Sequence, residues 1–314
     1  MILWGKTSGG KRRFRCEKCL RTSIKKRLDV SERNIEVLFE RWLLQTETLE
    51  RVAKYFKTKA SAVKRKFEKL WNIKISPLVY KGDGKILMVD GIILKKNCCI
   101  LIAIDGEGIP ITWYACSREN FESWMRLFGL VKKQGVTHPL CIVSDAQKGL
   151  IQARKWVFGN VPHQRCMTHV VRLAQAWLTR NPKLIAGKEL LLLVNTLYQI
   201  KNVKESEIFK IQFIIWCEKY NLFLKEKSYS PFIKKQWYIH RRLRAVRTLL
   251  KNAVPDLFTF LKIQNIPRTT NKLEGGVNSP IKALTRHHRG MKLSHRQTLV
   301  FRFLRARQTK KYQH

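Results

Sequence analysis

Residues 85–117 read KILMVDGIIL, NCCILIAIDGEG and IPITWYACS, with polar turn residues at Lys95-Lys96-Asn97 and at Asp105–Gly108 between the runs. Each run is rich in β-branched residues and too short for a buried helix, so the segment predicts three hairpin-linked strands. A helical pattern follows in ENFESWMRLFGLVKKQG, then an apolar run PLCIVSD, then a helix AQKGLIQARKWVFG, then a strand VPHQRCMTH. A meander followed by helix, strand, helix and strand predicts an α/β fold, a mixed sheet with helices on both faces. Residues 79–170 are assigned to this core.

Charge narrows what such a core serves. The chain of 314 residues carries 63 Lys and Arg against 22 Asp and Glu, a net +41. Self-repulsion of that size opposes compactness and points to a polyanionic partner. No apolar run reaches the roughly 18 residues of a membrane span, which leaves double-stranded DNA as the expected partner and excludes a membrane role. The N-terminus lacks the apolar core of a secretory signal, so the cytoplasm, on the nucleoid, is the expected compartment. Eight cysteines are too sparse for a disulfide scaffold, and Cys98, Cys99 and Cys141 lie in apolar runs as small hydrophobes.

Flanking segments differ in pattern. Residues 1–27 are basic and Gly-rich around Cys16-x-x-Cys19, the spacing of one knuckle of a zinc ribbon with no second pair before it. Zn²⁺ at Cys16 and Cys19 would therefore be incompletely ligated by this chain. Residues 28–78 place Ile35, Leu38, Phe39, Trp42 and Leu43 on one helix face. Two shorter helices follow across the turn KTKAS, the second carrying Lys64 and Arg65. That spacing suggests a helix-turn-helix whose basic helix enters a major groove. Residues 171–265 are long, basic and without strand alternation, and predict an all-helical insertion. Residues 266–314 hold a final helix and a basic tail in which Glu274 is the single acid.

Two carboxylates close apolar strands, Asp90 in KILMVD and Asp145 in LCIVSD. Either can be a turn former, or, for Asp145, the cap of a helix starting near Ala146. If the two strands are neighbours, both acids meet at one sheet edge, where a divalent cation is held for phosphoryl chemistry. Asp83, Asp105 and Glu107 sit in Gly-rich turns and read as turn formers. Glu274 is open to two readings, an ion pair in a cationic tail or a further metal ligand. Trp124 and Trp237 read as core residues, with stacking on an unpaired base as the alternative.

VDG, SDAQKGL, RCMTH and TTNKLEGGVNSPIK, in this order over residues 80–295, resemble the Mutator-like DDE transposases of bacterial insertion sequences. The resemblance implies an RNase H-like core interrupted by a helical insertion, with Asp90, Asp145 and Glu274 as catalytic acids. It further implies two Mg²⁺ or Mn²⁺ ions about 4 Å apart, held by those acids. Such an enzyme binds terminal inverted repeats, cleaves them and joins them to target DNA, as a homodimer or larger assembly. Cys166 and His169 match the Cys-x-x-His element of that family, given a structural or DNA-organising role beside the site. Arg165, Asn271, Lys282, Arg286 and Arg289 become expected DNA contacts. A catalytically inactive DNA-binding derivative, or another RNase H-like nuclease, is the alternative.

Overall fold

The computed structural model describes residues 1–24, 28–45, 47–232 and 234–312, without the side chains of residues 28–34 and 311–312. The boundary expected at residue 27 lies outside the described residues. Three short antiparallel strands, β1 (Ile2–Lys6), β2 (Arg12–Arg15) and β3 (Thr22–Ile24), form the N-terminal sheet. Cys16 and Cys19 stand in the β2–β3 turn, which Cys16 closes by donating its N–H to Arg21 and accepting from the N–H of Leu20. Helices α1 (Leu28–Leu44), α2 (Leu49–Tyr55) and α3 (Ala60–Trp71) follow. Their shared core holds Phe39, Leu43, Val52, Val63 and Phe67, and the Phe39 ring meets Phe67 at 5.0 Å and Trp71 at 4.8 Å. Lys64 and Arg65 lie exposed on α3, away from its buried Val63 and Phe67.

The predicted meander is present as β4 (Ile86–Lys95), β5 (Cys98–Asp105) and β6 (Pro110–Cys116). It continues through α4 (Phe121–Lys133), β7 (Cys141–Ser144), α5 (Lys148–Phe158) and β8 (His163–Arg165). The five strands form one mixed sheet in the order β6-β5-β4-β7-β8, antiparallel across the first three and parallel across the last three. Every residue of β5 is buried, which explains a continuous apolar run rather than alternation. One face of the sheet, with Leu87, Val89, Leu101 and Ile142, packs on Trp124, Leu127 and Phe128 of α4 and Leu150 and Ala153 of α5. Trp124 is thus a core residue at 1% exposure, out of reach of any base.

Two expectations need correction. The strand expected over VPHQRCMTH stops at Arg165, because Met167, Val170, Val171, Ala174 and Leu178 recur at helical spacing and form the buried stripe of α6 (Met167–Leu178). Nor is the insertion all-helical. After α7 (Ile185–Thr196) and α8 (Val203–Lys219) comes an antiparallel hairpin of β9 (Lys227–Ser230) and β10 (Lys235–Tyr238), before α9 (Arg241–Leu257). Its strands are short and mostly exposed, so lysine and serine dilute the signal of Tyr229, Trp237 and Tyr238. Helices α6 to α9 share a core of their own around Leu190, Phe209, Phe213, Trp216, Val246 and Leu250.

The chain ends through α10 (Asn271–Leu273), a π-helical turn over Glu274–Asn278, α11 (Ser279–His287) and α12 (Leu293–Tyr312). It divides into two compact units. One comprises Met1–Ser76 with Lys282–Phe303, the other Pro77–Ile281 with Leu304–His314. No described helix is long and apolar enough to cross a membrane. Within the second unit, fully buried Gln308 accepts from the Leu78 N–H at 2.9 Å and donates to the Pro110 carbonyl at 2.8 Å. Gln308→Leu strands both backbone groups and should lower stability by about 2–4 kcal/mol in chemical denaturation. A loss under about half a kcal/mol would show that the two bonds contribute nothing.

Candidate active site

β4 and β7 run parallel, with Ile86, Leu87 and Met88 paired to Cys141, Ile142 and Val143. The same offset, continued past the paired residues, sets Asp90 level with Asp145, the residue that follows β7. Asp90 sits mid-strand, partly buried, and accepts from the Gly91 N–H at 2.9 Å and from Asn278 Nδ2 at 2.8 Å. Burial, and then the charge of Asp145, push its pKa up to about 7. Asp145 does not cap a helix. α5 starts at Lys148, and Asp145 Oδ1 instead accepts from the Gln147 N–H at 3.0 Å. The turn between them holds Ala146 at φ +63°, a left-handed conformation that a side chain disfavours and that aims the Asp145 carboxylate.

A fourth acid joins this edge unannounced by any spacing in the sequence. Glu119 precedes α4, and its carboxylate occupies the space that a Cβ at Gly91 would take, so a side chain there would displace Glu119 from beside Asp90. Burial raises the pKa of Glu119, a hydrogen bond from Cys99 Sγ at 3.4 Å partly offsets it, and Asp145 adds to the rise. Gln147 holds the loop by donating to the Glu119 carbonyl at 3.1 Å. Glu119 was hidden in the sequence because it stands between a strand and a helix cap, where a lone acid is ordinary.

Glu274 reaches the site from the other end of the chain. Its Oε1 lies 3.0 Å from Thr270 Oγ1 and its Oε2 accepts from Arg172 at 2.8 Å. The final helix expected over this segment is interrupted by a π-helical turn that starts at Glu274 and contains Gly275 and Gly276. Extra residues in that turn rotate Asn278 onto Asp90. Cys166, His169 and Glu274 gather closely, with donor atoms within 4.8 Å of one another. Burial opposes ionisation of the Cys166 thiol, but hydrogen bonds from His169 and Thr270 outweigh it and lower its pKa. That contact with Cys166, set against burial, raises His169 to about 9, and Asp90 and Glu274 add to the rise. The two side chains therefore favour each other's charged forms, and His169 Nδ1 stands 3.6 Å from Glu274 Oε1.

Behind Asp145 runs a buried relay that the sequence did not suggest. Ser144 Oγ lies 2.9 Å from His163 Nε2, and His163 Nδ1 lies 2.9 Å from Asp256 Oδ2. Burial lowers the His163 pKa, so the ring is neutral, donating to Asp256 and accepting from Ser144. With Ser144 fully buried and His163 at 3% exposure, these groups fasten β7 and β8 to α9 rather than meet a substrate.

The other predicted residues are dispersed. Arg165 ends β8, paired with Ser144. Asn271 is exposed at the start of α10, and Lys282, Arg286 and Arg289 are exposed in the unit that also holds Lys64 and Arg65. Cys16 and Cys19 have no further metal-ligating residues grouped with them among the described residues. Backbone N–H groups of Cys19 and Lys18 lower the pKa of Cys16, as in a thiolate-binding turn.

Buried like charges of this kind define the class: a basic α/β protein with a carboxylate-lined sheet edge and an inserted, mainly helical body. The sequence profile of the Mutator family of transposases matches residues 27–228, and the chain belongs to that family. The matched span holds Asp90, Asp145, Cys166 and His169, and Glu274 lies beyond it. The chain is 38% identical over 82 residues to the transposase for insertion sequence element IS256 in transposon Tn4001 of Staphylococcus aureus, covering 26% of this chain and 21% of that protein. It is 26% identical over 129 residues to the transposase for IS406 of Burkholderia multivorans, 40% of this chain and 32% of the relative. Against the transposase for IS905 of Lactococcus lactis it is 24% identical over 151 residues, 45% of this chain and 38% of the relative. It thus spans from about a fifth to two fifths of these relatives.

The Asp90 environment makes a stability prediction. A folded pKa of about 7, above the ordinary 3.8, means that ionised Asp90 destabilises the metal-free fold as pH rises from about 4 through 7. Asp90→Asn should raise the melting temperature in chelator more at pH 8 than at pH 5, by at most about 4 kcal/mol equivalent. An equal gain at both pH values would contradict a buried, repelled carboxylate.

Proposed function

We propose that this chain is the transposase of an insertion sequence, binding terminal inverted repeats and cutting and joining DNA strands at the Asp90–Asp145 edge. The observation that supports the reading is the parallel pairing of β4 with β7, whose register, continued, brings Asp90 and the residue after β7, Asp145, to one sheet edge, where the charge of Asp145 acts on Asp90. An oxygen-only donor set fits Mg²⁺ or Mn²⁺ better than Zn²⁺. Asp90, Asp145 and Glu274 would hold these ions. Two bound ions supply water or a 3′-hydroxyl activated for in-line attack and neutralise the leaving oxygen. The sheet order, and an insertion between β8 and Glu274, support an RNase H-like core.

The residues of this chain have separable tasks. Asn278 holds Asp90 from the π-helical turn, and Ser144 with His163 fixes the strand end from which Asp145 projects. Water attacks the phosphorus at the element end and the P–O3′ bond breaks; the freed 3′-hydroxyl then attacks a target phosphodiester, whose own P–O3′ bond breaks to leave a target 3′-hydroxyl. His169, as imidazolium, offsets the negative charge gathered around Glu274 and Asp90. α2 and α3 read as a helix-turn-helix in which Lys64 and Arg65 meet DNA, with Lys282, Arg286 and Arg289 gripping phosphates. Synapsis of two ends calls for a homodimer or larger assembly. One observation favours the inactive DNA-binding alternative: Glu274 is engaged by Arg172 and Thr270 rather than by Asp90 or Asp145.

Incubation with duplexes carrying the element's inverted repeats and Mg²⁺ or Mn²⁺ tests the reading. Wild type should cleave at the repeat ends, and Asp145→Asn and Glu274→Gln should each lose at least about a hundredfold in rate while binding is retained. Specific binding by wild type without cleavage would favour the inactive alternative. Cleavage surviving Asp145→Asn would remove the site assignment.

A further inference from the structure

Arg165, Trp177, Arg241, Arg244, Thr248 and Asn252 surround an open cavity of about 450 Å³ between β8, α6 and α9. Arg241, Arg244, Thr248 and Asn252 recur at three- and four-residue steps and form one stripe of α9. Arg165 closes the cavity on the side of the sheet, paired in β8 with Ser144, the residue before Asp145. No acid lines it, although Asp145 and Asp256 outside it act on the charge of Arg165, and Arg165 Nε is buried without a hydrogen-bond partner. Arg244 is held in place, its guanidinium 3.5 Å from the Tyr238 ring centroid and bonded to the Leu224 carbonyl at 2.9 Å.

Three guanidiniums facing one hollow with an unpaired buried donor among them call for an anion. Trp177 specifies more than an anion. The indole is half-buried against the core of the insertion and still lines the cavity. Duplex DNA offers phosphates and sugars to a protein surface while its base faces stay stacked, so a duplex gives the indole nothing to cover. A single nucleotide outside a duplex presents both a phosphate and a free base face. The volume is of the size that holds one small ligand rather than a strand.

We propose that this cavity binds one unpaired nucleotide of the DNA strand beside the scissile phosphate, its base stacked on Trp177 and its phosphate held by Arg165, Arg241 and Arg244. The inference rests on the transposase reading for its choice of DNA, and on the cavity alone for its choice of an unpaired nucleotide. It gives the insertion a task distinct from duplex recognition: to keep a frayed or cleaved end next to the carboxylates.

Full-length protein is titrated at fixed salt, in chelator, with a blunt duplex and with the same duplex bearing a short single-stranded overhang that contains 2-aminopurine. Stacking on one base predicts that wild type binds the overhang duplex about 5- to 100-fold more tightly and shifts 2-aminopurine fluorescence. Arg241→Ala, at an exposed position, should bring overhang affinity to the blunt level while changing blunt affinity less than about twofold. Trp177→Leu should abolish the fluorescence change, and Trp177→Phe should restore it. Equal affinity of wild type for the two duplexes, or a uniform loss from both in Arg241→Ala, overturns the proposal. Asp145→Asn separates the two readings, since it should keep the overhang preference and lose cleavage. Overhang preference in a wild type that cleaves nothing would sink the transposase reading alone. Cleavage without that preference would sink the cavity alone.

Discussion

Repulsion between two carboxylates held on adjacent parallel strands is the constraint around which this protein is organised. Water would disperse Asp90 and Asp145, but the register of β4 on β7 prevents it, and burial raises the pKa of Asp90 to about 7. Local devices hold that arrangement. Gly91 leaves room for Glu119, Asn278 donates to Asp90, and the Ala146 turn aims Asp145. Of these, the left-handed Ala146 is the strained one, while the Asn278 hydrogen bond offsets part of the cost of holding Asp90 at this edge.

The insertion is fastened to this edge from behind. The Ser144–His163–Asp256 relay links the end of β7 to α9, and Gln164 donates to the Leu257 carbonyl while accepting from the Phe260 N–H. α6 then carries two faces with different tasks. Its first turns bring His169 and Arg172 to Glu274, and its last turn sets Trp177 against the cationic stripe of α9. The carboxylate edge and the insertion are thereby parts of one packed body, with Glu274 starting a π-helical turn rather than a regular helix.

Much of the sheet was readable in the sequence because its central strands are buried on both faces. CCILIAID has no polar residue before Asp105, and no other element accommodates such a run next to two similar ones. Asp90 and Asp145 were visible for the same reason, as charges at the ends of apolar runs. What escaped depended on contacts distant in the chain. Glu119 becomes part of the site only because the chain folds it over Gly91, and Asp256 only because it meets His163 in the interior. Short-range competition hid the rest. RCMTH has β-forming neighbours on one side and a helical stripe on the other, and the stripe prevails from Met167. The β9–β10 hairpin escaped because its four-residue strands mix lysine, serine and glutamine with Tyr229, Trp237 and Tyr238 and bury no residue fully.

Two groups could hold a metal ion, the proposed Asp90–Asp145 edge and the Cys166–His169–Glu274 cluster. Mn²⁺ binding to the DNA-bound protein, followed by electron paramagnetic resonance, separates them most directly. The account predicts that Asp145→Asn and Asp90→Asn each weaken Mn²⁺ binding at pH 7.5 by at least about tenfold, while Cys166→Ser leaves it nearly unchanged. Mn²⁺ binding that survives both aspartate substitutions and disappears in Cys166→Ser would contradict it.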